Sequence, residues 1–393
     1  MILSMNLLFV TNKNVYPLIG GIERITYSVA EALRNIYGMR CFSLYTQENK
    51  LGKTTEDVFE RKECLGEEKL VEQVVKYLKE EQIKVVIAQG SDSRVNNLMP
   101  MLREAVDQCE GVKLLFVYHQ MPGFELVPMD SATLWHRLIH GNKVAALKQI
   151  ATQILLCISP RLSERLVEKK YKMPYEKSDK VVLLSDGFIP QYNRFARGDE
   201  QYYAAIPNML SFLSAESSEK KHEVLVVSRM DERQKRIKTA MKVWRKAYSK
   251  EWTLRIVGYG EDLEYYKQLV HRWGLQNVTF EGLQDPLPYY QRAPLFLMVS
   301  AFEGWGLTVT EAQQCGCVPI AFDSYSAVHD IIQSGRNGYV VPNDDIDEYV
   351  RVLKELMNND TLRAELAANA QEDVQRFSRE NIAKQWKTLL ENL

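Results

Sequence analysis

The segment from Ser300 to Ala312 (SAFEGWGLTVTEA) has the residue types and spacing best suited to binding chemistry. The apolar run that ends at Ser300 predicts a buried strand, and the Gly-Trp-Gly turn after it predicts entry into a helix. The N-terminus of a helix attracts anions, because its first N–H groups have no partner inside the helix. Glu303 and Glu311 add hydrogen-bond acceptors on either side. The segment therefore predicts a site for an anionic ligand with hydroxyl groups.

The spacing of Glu303 and Glu311 restricts what the two carboxylates can do. Eight helical steps would separate them by about 12 Å, whereas the paired carboxylates of a retaining glycoside hydrolase lie only about 5 Å apart. We therefore expect the two glutamates to accept hydrogen bonds from separate parts of one ligand, on either side of a diphosphate. The alternative is that both are surface residues around an ordinary turn.

Two cations follow another predicted strand, Glu223 to Val227. Arg229 lies at its carboxyl end and Lys235 at the start of the next helix. An arginine fork and a lysine point charge together suit a diphosphate. The alternative is a solvated basic face, because such runs of charge usually face water.

Histidine and glycine residues mark three further strand ends. His119 follows the predicted strand Leu114 to Tyr118, where its imidazole could donate to a sugar hydroxyl or a phosphate; the alternative is a hydrogen-bonded rim histidine. Gly20 and Gly21 precede a helix and permit close approach of a ligand to the backbone. Gly282 lies where backbone groups could meet a nucleobase edge. The glycine pattern is not GxGxxG, so a nicotinamide cofactor is disfavoured.

Strands and helices alternate in two series, which predicts an α/β fold with two doubly wound, mostly parallel sheets. Ligands of such sheets gather at the carboxyl ends of the strands. The polar segment from Asp186 to about Glu219 predicts a linker with an irregular insertion. We expect domains at residues 1–215 and 216–376, followed by a helix within 377–393. The strands of the first series are predicted at Met5–Val10, Cys41–Tyr45, Lys84–Ala88, Leu114–Tyr118, Ile154–Ile158 and Val181–Leu184.

Length and composition exclude several classes of protein. A chain of 393 residues favours two domains, and 46% hydrophobic with 26% charged residues excludes wholesale disorder. A formal charge of -1 argues against nucleic acid as a partner. We expect no transmembrane helix and no signal peptide, because no apolar run is long enough and the N-terminus lacks a basic region. Six sparse cysteines fit thiols in a reducing cytoplasm.

Taken together, these residues resemble the retaining GT-B glycosyltransferases of glycosyltransferase family 4, the glycosyl transferases group 1. The resemblance covers nearly the whole chain: the Gly20-Gly21 loop, His119, the Arg229/Lys235 pair, and the two glutamates of an E-x7-E signature. It implies two Rossmann-like domains that face a central cleft, with the acceptor on the first and the nucleotide sugar on the second. It also implies that the C-terminal helix packs back on the first domain.

The resemblance assigns a role to each matching position. Glu303 would contact the donor sugar, Glu311 the ribose, and Arg229 with Lys235 the diphosphate of the leaving group. His119 would contact the donor sugar near its reacting centre.

Glycines and one helix start complete the implied site. Gly20 and Gly21 would lie near the diphosphate and the acceptor. Backbone amides at Gly306, Leu307 and Thr308 would bind phosphate, although many relatives have proline where Thr308 stands; a threonine can still start a helix.

The resemblance implies transfer with retention from a nucleotide diphosphate sugar, with no metal ion and no cofactor. The expected acceptor is a hydroxyl of a glycan or a lipid-linked glycan in surface polysaccharide synthesis. The base (UDP, GDP or ADP), the sugar and the acceptor stay open. The alternatives are a nucleotide-sugar epimerase of the same fold and a non-catalytic relative that binds nucleotide sugar.

A predicted helix from Leu134 to Ile150 mixes apolar and basic residues between Trp135 and Lys148. Such a helix could rest on the inner surface of the cytoplasmic membrane; the alternative is that it packs on its own domain. His136 and His140 are four residues apart, but Arg137 replaces the glutamate of a zinc protease, so a metal site is disfavoured there. We expect a cytoplasmic protein, with peripheral membrane contact left open.

Overall fold

The computed structural model describes residues 5–16, 20–48, 57–66, 68–90, 93–129, 131–140, 143–212 and 218–393. It does not describe the side chains of residues 93, 132, 135–137, 140, 143, 145, 146, 148, 149, 157 and 160. The chain divides into two compact units. Unit 1 comprises Met1–Glu125, Ser159–Met209 and Phe377–Leu393, and unit 2 comprises Leu126–Ile158 and Leu210–Arg376.

The described strands form two sheets in which every recorded pairing is parallel. In chain order they are β1 (Asn6–Lys13), β2 (Arg40–Gln47), β3 (Lys62–Cys64), β4 (Val85–Gly90), β5 (Lys113–Tyr118), β6 (Lys180–Leu183), β7 (Tyr203–Ala205), β8 (Glu223–Val227), β9 (Thr253–Val257), β10 (Val278–Gly282), β11 (Leu295–Met298), β12 (Val318–Phe322) and β13 (Tyr339–Val341). Unit 1 has the order β3-β2-β1-β4-β5-β6-β7, and unit 2 has the order β10-β9-β8-β11-β12-β13.

Helices connect these strands, as parallel pairing requires. In chain order they are α1 (Gly21–Tyr37), α2 (Leu70–Glu80), α3 (Ser93–Asp107), α4 (Ser131–His140), α5 (Lys143–Ile158), α6 (Pro160–Lys177), α7 (Phe188–Ala196), α8 (Ile237–Ala247), α9 (Leu263–Trp273), α10 (Leu287–Arg292), α11 (Leu307–Gln314), α12 (Val328–Ile331), α13 (Ile346–Asn358), α14 (Asp360–Asp373) and α15 (Arg379–Glu391). The predicted α/β class with two doubly wound sheets is confirmed.

The core of each unit lies on its central strands. In unit 1, residues 7–10 of β1 are fully buried, which explains why this strand is a continuous apolar run. In unit 2, Val226 of β8 and Leu297 of β11 belong to one buried cluster with Trp244 of α8. Because β8 and β11 are adjacent and parallel, the segments that follow them begin at the same edge of the sheet.

The C-terminal helix α15 belongs to unit 1 and lies against α1. Arg379 forms an ion pair with Glu31, and the Lys387 ammonium lies 5.6 Å from the centre of the Tyr37 ring. The last helix thus covers a face of the unit that begins the chain.

The segment from Asp186 to Glu219 is more ordered than the sequence predicted. Its expected linker contains helix α7 and strand β7, so that prediction was wrong for residues 188–205. Phe188, Tyr192 and Phe195 recur at helical spacing and are buried, and Pro190 lies in the first turn of α7, where proline is tolerated. The polar residues around these three aromatic residues made the helical spacing difficult to recognise in the sequence.

The region after β5 also differs from the prediction. The expected strand Ile154–Ile158 is the end of α5, and the expected single helix Leu134–Ile150 is two helices, α4 and α5. A short apolar run is compatible with either a strand or a helix, and the part of the predicted helix at residues 141–142 lies outside the described residues.

Candidate functional site

Lys235 and Glu303 form the centre of the site in unit 2. Lys235 Nζ donates to Glu303 Oε1 at 2.5 Å, and the two side chains are only 18% and 9% exposed. Lys235 precedes α8 and Glu303 follows β11, and the sheet brings them together because β8 and β11 are neighbours. Two residues that the sequence singled out separately thus form one ion pair, in which Glu303 is buried and Lys235 half-buried.

Gln234 joins the two segments that contain this pair. Its backbone carbonyl accepts the N–H of Ala301 at 2.7 Å, and its side-chain amide donates to the carbonyl of Phe302 at 3.3 Å. Its side-chain oxygen accepts from the Arg229 guanidinium at 3.0 Å. The sequence analysis missed Gln234, because nothing in its type or spacing distinguishes it within a charged run.

Glu232 holds the segment before α8 in place through contacts with α8 and α9. The buried carboxylate accepts hydrogen bonds from the Tyr266 hydroxyl at 2.9 Å and the Lys238 N–H at 3.0 Å. Its own N–H donates to Asp262 at 2.7 Å. The acidic side chain within the basic run is therefore buried and hydrogen-bonded.

Arg229 lies at the carboxyl end of β8, as predicted, and its side chain is 63% exposed. Its guanidinium donates to Asp231 at 3.1 Å in addition to Gln234. The side chain is therefore oriented by two acceptors while much of its surface stays accessible to a ligand.

The turn before α11 needs glycine at position 306 for two reasons. Gly306 has a φ of 100°, which side chains rarely adopt, and a Cβ there would lie 2.6 Å from the Tyr325 hydroxyl. Leu307 and Thr308, both half-buried, form the start of α11, so the predicted helix start is confirmed to within one residue. Their N–H groups belong to the first turn, which has no intrahelical acceptors.

Glu311 lies in α11 and is 1% exposed, and the Tyr290 hydroxyl donates to its Oε2 at 3.0 Å. Glu303 is buried too, so neither carboxylate is a surface glutamate. The sequence analysis did not identify Tyr290, whose residue type alone gives no sign of this contact.

The loops after β9 and β10 pack closely at the same edge of the sheet. The Gly258 N–H donates to the Gly282 carbonyl at 2.8 Å, and a Cβ at Gly258 would lie 1.9 Å from the Ser228 carbonyl oxygen. Two large side chains on these loops, Tyr259 and Leu283, are 64% and 81% exposed. The site edge therefore has apolar surface next to its cations, which the sequence analysis did not predict.

His119 lies in unit 1, directly after β5. Its Nε2 is 2.5 Å from Gln89 Oε1, and its N–H donates to the Gly90 carbonyl at 2.9 Å. Burial lowers the pKa of His119 from 6.5 to about 4, so the ring is neutral near pH 7. Because Gln89 Oε1 accepts, the proton lies on Nε2 and Nδ1 is left as an acceptor.

Gly20 and Gly21 are placed at the start of α1 in unit 1. Gly20 is the N-cap with a φ of 77°, and a Cβ there would lie 1.9 Å from Glu23 Oε2. Gly21 is the first residue of the helix. The predicted site residues thus form two groups: Gly20, Gly21 and His119 in unit 1, and the remaining ones in unit 2.

The Cys315 and Cys317 thiols and the possible metal ligands contribute no further site in the described part of the chain. Burial raises the pKa of Cys315 to about 12 and that of Cys317 to about 11, so both thiols are protonated and unreactive. No three His, Cys, Asp or Glu side chains among the described residues converge to hold a metal ion. No described helix is long and apolar enough to cross a bilayer.

Comparison with solved structures identifies this fold as GT-B. HepE from Anabaena, solved with UDP and glucose, superposes with a TM-score of 0.73 at 17% identity, over 99% of this chain and 100% of that chain. The lipopolysaccharide outer core galactosyltransferase WaaB gives a TM-score of 0.67 at 19% identity, over 99% and 100%.

Sequence comparison finds a family model that matches most of the second unit. Residues 212–373, which contain Arg229, Lys235, Glu303 and Glu311, match the family model of the glycosyl transferases group 1. The poly(glycerol-phosphate) alpha-glucosyltransferase of Bacillus subtilis is 30% identical over 145 residues, 36% of this chain and 22% of that protein. The amylovoran biosynthesis glycosyltransferase AmsD of Erwinia amylovora is 26% identical over 173 residues, 44% and 48%. The matches span less than half the length of these relatives.

Proposed function

We propose that this chain is a retaining, metal-independent glycosyltransferase of family 4. It would move a sugar from a nucleotide diphosphate sugar to a hydroxyl of a glycan or lipid-linked acceptor in surface polysaccharide synthesis. The observation that supports this most is the contact between Lys235 and Glu303 beside the first turn of α11. Both residues lie within the segment that matches the glycosyl transferases group 1.

The diphosphate would bind at the start of α11. The first-turn N–H groups at Leu307 and Thr308 are donors for phosphate oxygens, and the dipole of the helix favours the negative charge. Lys235 and the exposed Arg229 would supply the cations that stabilise the charge of the leaving group. These groups can do so without a metal ion.

The two glutamates would bind hydroxyls at opposite ends of the donor. Glu303 would accept from the donor sugar and Glu311 from the ribose. The exposed Tyr259 ring and the exposed Leu283 side chain, next to the backbone of Gly282, offer apolar surface for the base. Because HepE was solved with UDP and with UDP-glucose, we propose UDP as the first nucleoside diphosphate to test.

Transfer would proceed on one face of the sugar. The bond between the anomeric carbon and the phosphate oxygen breaks, and the acceptor oxygen attacks from the same side. The acceptor proton passes to the leaving phosphate oxygen, so no carboxylate nucleophile is needed. His119, neutral and with Nδ1 as an acceptor, would orient a sugar hydroxyl without adding charge.

Nucleotide binding and product analysis test the proposal. Thermal unfolding with UDP, GDP and ADP should show that one of these nucleotides stabilises the protein. At a concentration of 100 times its dissociation constant, the stabilisation should be about 2.7 kcal/mol. With the matching sugar nucleotide and an acceptor, the products should be the nucleoside diphosphate and a new glycosidic bond. A free epimerised sugar would instead identify an epimerase, and no stabilisation by any nucleotide would refute the proposal.

We also propose that α5 contacts an anionic membrane surface. Its exposed residues Val144, Leu147, Ala151, Ile154 and Ile158 recur every three or four positions and so form one apolar stripe. Residues 131–158 include three Lys or Arg and no Asp or Glu. Apolar surface together with positive charge favours an anionic lipid surface over a neutral partner.

A further inference from the structure

Tyr325 has a buried hydroxyl without an acceptor. The residue follows β12 and is 3% exposed, and among the described residues its O–H has no hydrogen-bond partner. Burying a hydroxyl without a partner is energetically unfavourable, and native structures contain few such groups. This hydroxyl therefore requires an explanation.

The surroundings of this hydroxyl belong to the proposed donor site. It lies against Gly306, since a Cβ on that glycine would be 2.6 Å from it. The Tyr325 segment is anchored to the end of β11, because the Ser324 hydroxyl donates to the Ser300 carbonyl at 2.7 Å. Burial, and then the nearby charge of Glu303, raise the pKa of Tyr325 well above 10, so the hydroxyl stays a donor.

Among the described residues, only Lys235 donates to the Glu303 carboxylate. In this structure Lys235 Nζ donates to one carboxylate oxygen, Oε1, and within the described part of the chain no hydrogen bond joins Glu303 to Tyr325. A diphosphate at the start of α11 would attract Lys235. Glu303 would then be a buried charge without its cation, which is a strongly unfavourable state.

We propose that Tyr325 is a positioning residue for Glu303, because its hydroxyl donates to the Glu303 carboxylate once a diphosphate has taken Lys235. The inference rests on the proposed function. The new contact would require a change of the Glu303 side-chain torsions, since the Tyr325 ring is buried. The hydroxyl that has no acceptor in the free protein would thus donate to a carboxylate that has lost its cation.

The test compares Tyr325→Phe with Tyr349→Phe. Tyr349 is a buried tyrosine of the same unit whose hydroxyl already donates, to the Ile320 carbonyl at 2.5 Å. We expect Tyr325→Phe to leave the melting temperature of the free protein unchanged or higher, because no hydrogen bond is lost. Its dissociation constant for UDP should rise about 10- to 100-fold, as for loss of a hydrogen bond to a charged group. Tyr349→Phe should lower the melting temperature and bind UDP like the wild type.

A double-variant cycle with Glu303→Ala, which removes the acceptor, separates this role from a general packing effect. In the Glu303→Ala background, Tyr325→Phe should change the UDP dissociation constant less than about twofold. Three outcomes would overturn the inference while the wild type binds UDP. These are unchanged affinity in Tyr325→Phe, a melting temperature lowered as in Tyr349→Phe, and an undiminished affinity loss in the Glu303→Ala background. If the wild type binds none of UDP, GDP and ADP, the proposed function itself fails, and this role with it.

Discussion

The carbonyl of Gln234 accepts a hydrogen bond from the N–H of Ala301 at 2.7 Å. This contact joins the segment before α8 to the segment after β11, so that Lys235 and Glu303 meet next to it. Since both segments are tied to the same sheet edge, the pair is held by backbone geometry as well as by charge.

Removing either member of the ion pair should abolish transfer. We expect Glu303→Ala and Lys235→Ala to lower nucleotide release about 100-fold or more, because each removes a charged partner of the transition state. Circular dichroism should show that both variants stay folded. Lys242→Ala, on the exposed face of α8, is the matched control and should retain wild-type activity. Full activity in Glu303→Ala or Lys235→Ala would contradict the site assignment.

Gln234→Ala should weaken the site without removing any charge from it. Loss of the side-chain contacts to Phe302 and Arg229 should lower kcat/KM about 5- to 30-fold, since each hydrogen bond contributes about 1 kcal/mol. Steady-state kinetics of nucleotide release measures this. The exposed Gln268→Ala on α9 should behave like the wild type. If Gln234→Ala and Gln268→Ala show the same kcat/KM, the Gln234 side chain does not help to orient the residues of the site.

Gly306→Ala should destabilise the protein more than Gly274→Ala. Both glycines have positive φ, 100° and 58°, but only at Gly306 would the new Cβ meet another atom, the Tyr325 hydroxyl. We expect Gly274→Ala to cost about 1–2 kcal/mol from backbone strain alone, and Gly306→Ala to cost more. Urea denaturation gives both values. Equal losses in the free energy of unfolding would mean that a Cβ at position 306 does not clash with the Tyr325 hydroxyl.

Stability should fall in acid because His119 is neutral in the folded protein. Its folded pKa of about 4 lies below 6.5, so the unfolded chain binds a proton first as the pH falls. The contribution of His119 is therefore complete above pH 6.5 and is lost between pH 6.5 and 4, by about 3 kcal/mol in total. His119→Gln should lose less free energy of unfolding over this range, whereas the exposed His271→Gln should follow the wild type. Identical pH profiles for wild type and His119→Gln would refute the buried neutral ring.

Membrane contact through α5 should depend on its apolar stripe. We expect the wild type to co-sediment with vesicles that contain phosphatidylglycerol and not with phosphatidylcholine alone. Leu147→Glu with Ile154→Glu should abolish co-sedimentation, because two charges would enter the lipid interface. Ile36→Glu, an exposed apolar position on α1, is the control and should still bind. No co-sedimentation of the wild type with anionic vesicles would exclude this surface.

The sequence by itself determined the alternation of strands and helices, because apolar period and turn residues are local properties. It also located Lys235, Glu303 and the helix start after Gly306, since charged residues and glycines after a buried strand stand out by type and position. Helix α7 was missed because polar neighbours conceal its three buried aromatic residues.

Only the tertiary structure decided which of these residues meet. Lys235 and Glu303 lie 68 positions apart in the chain, and the pairing of β8 with β11, which no local pattern specifies, brings them together. The bridging role of Gln234, the bond from Tyr290 to Glu311 and the unpaired Tyr325 hydroxyl all depend on packing between distant segments. A residue type states which hydrogen bonds a side chain can make, but burial and strand order determine which of them it does make.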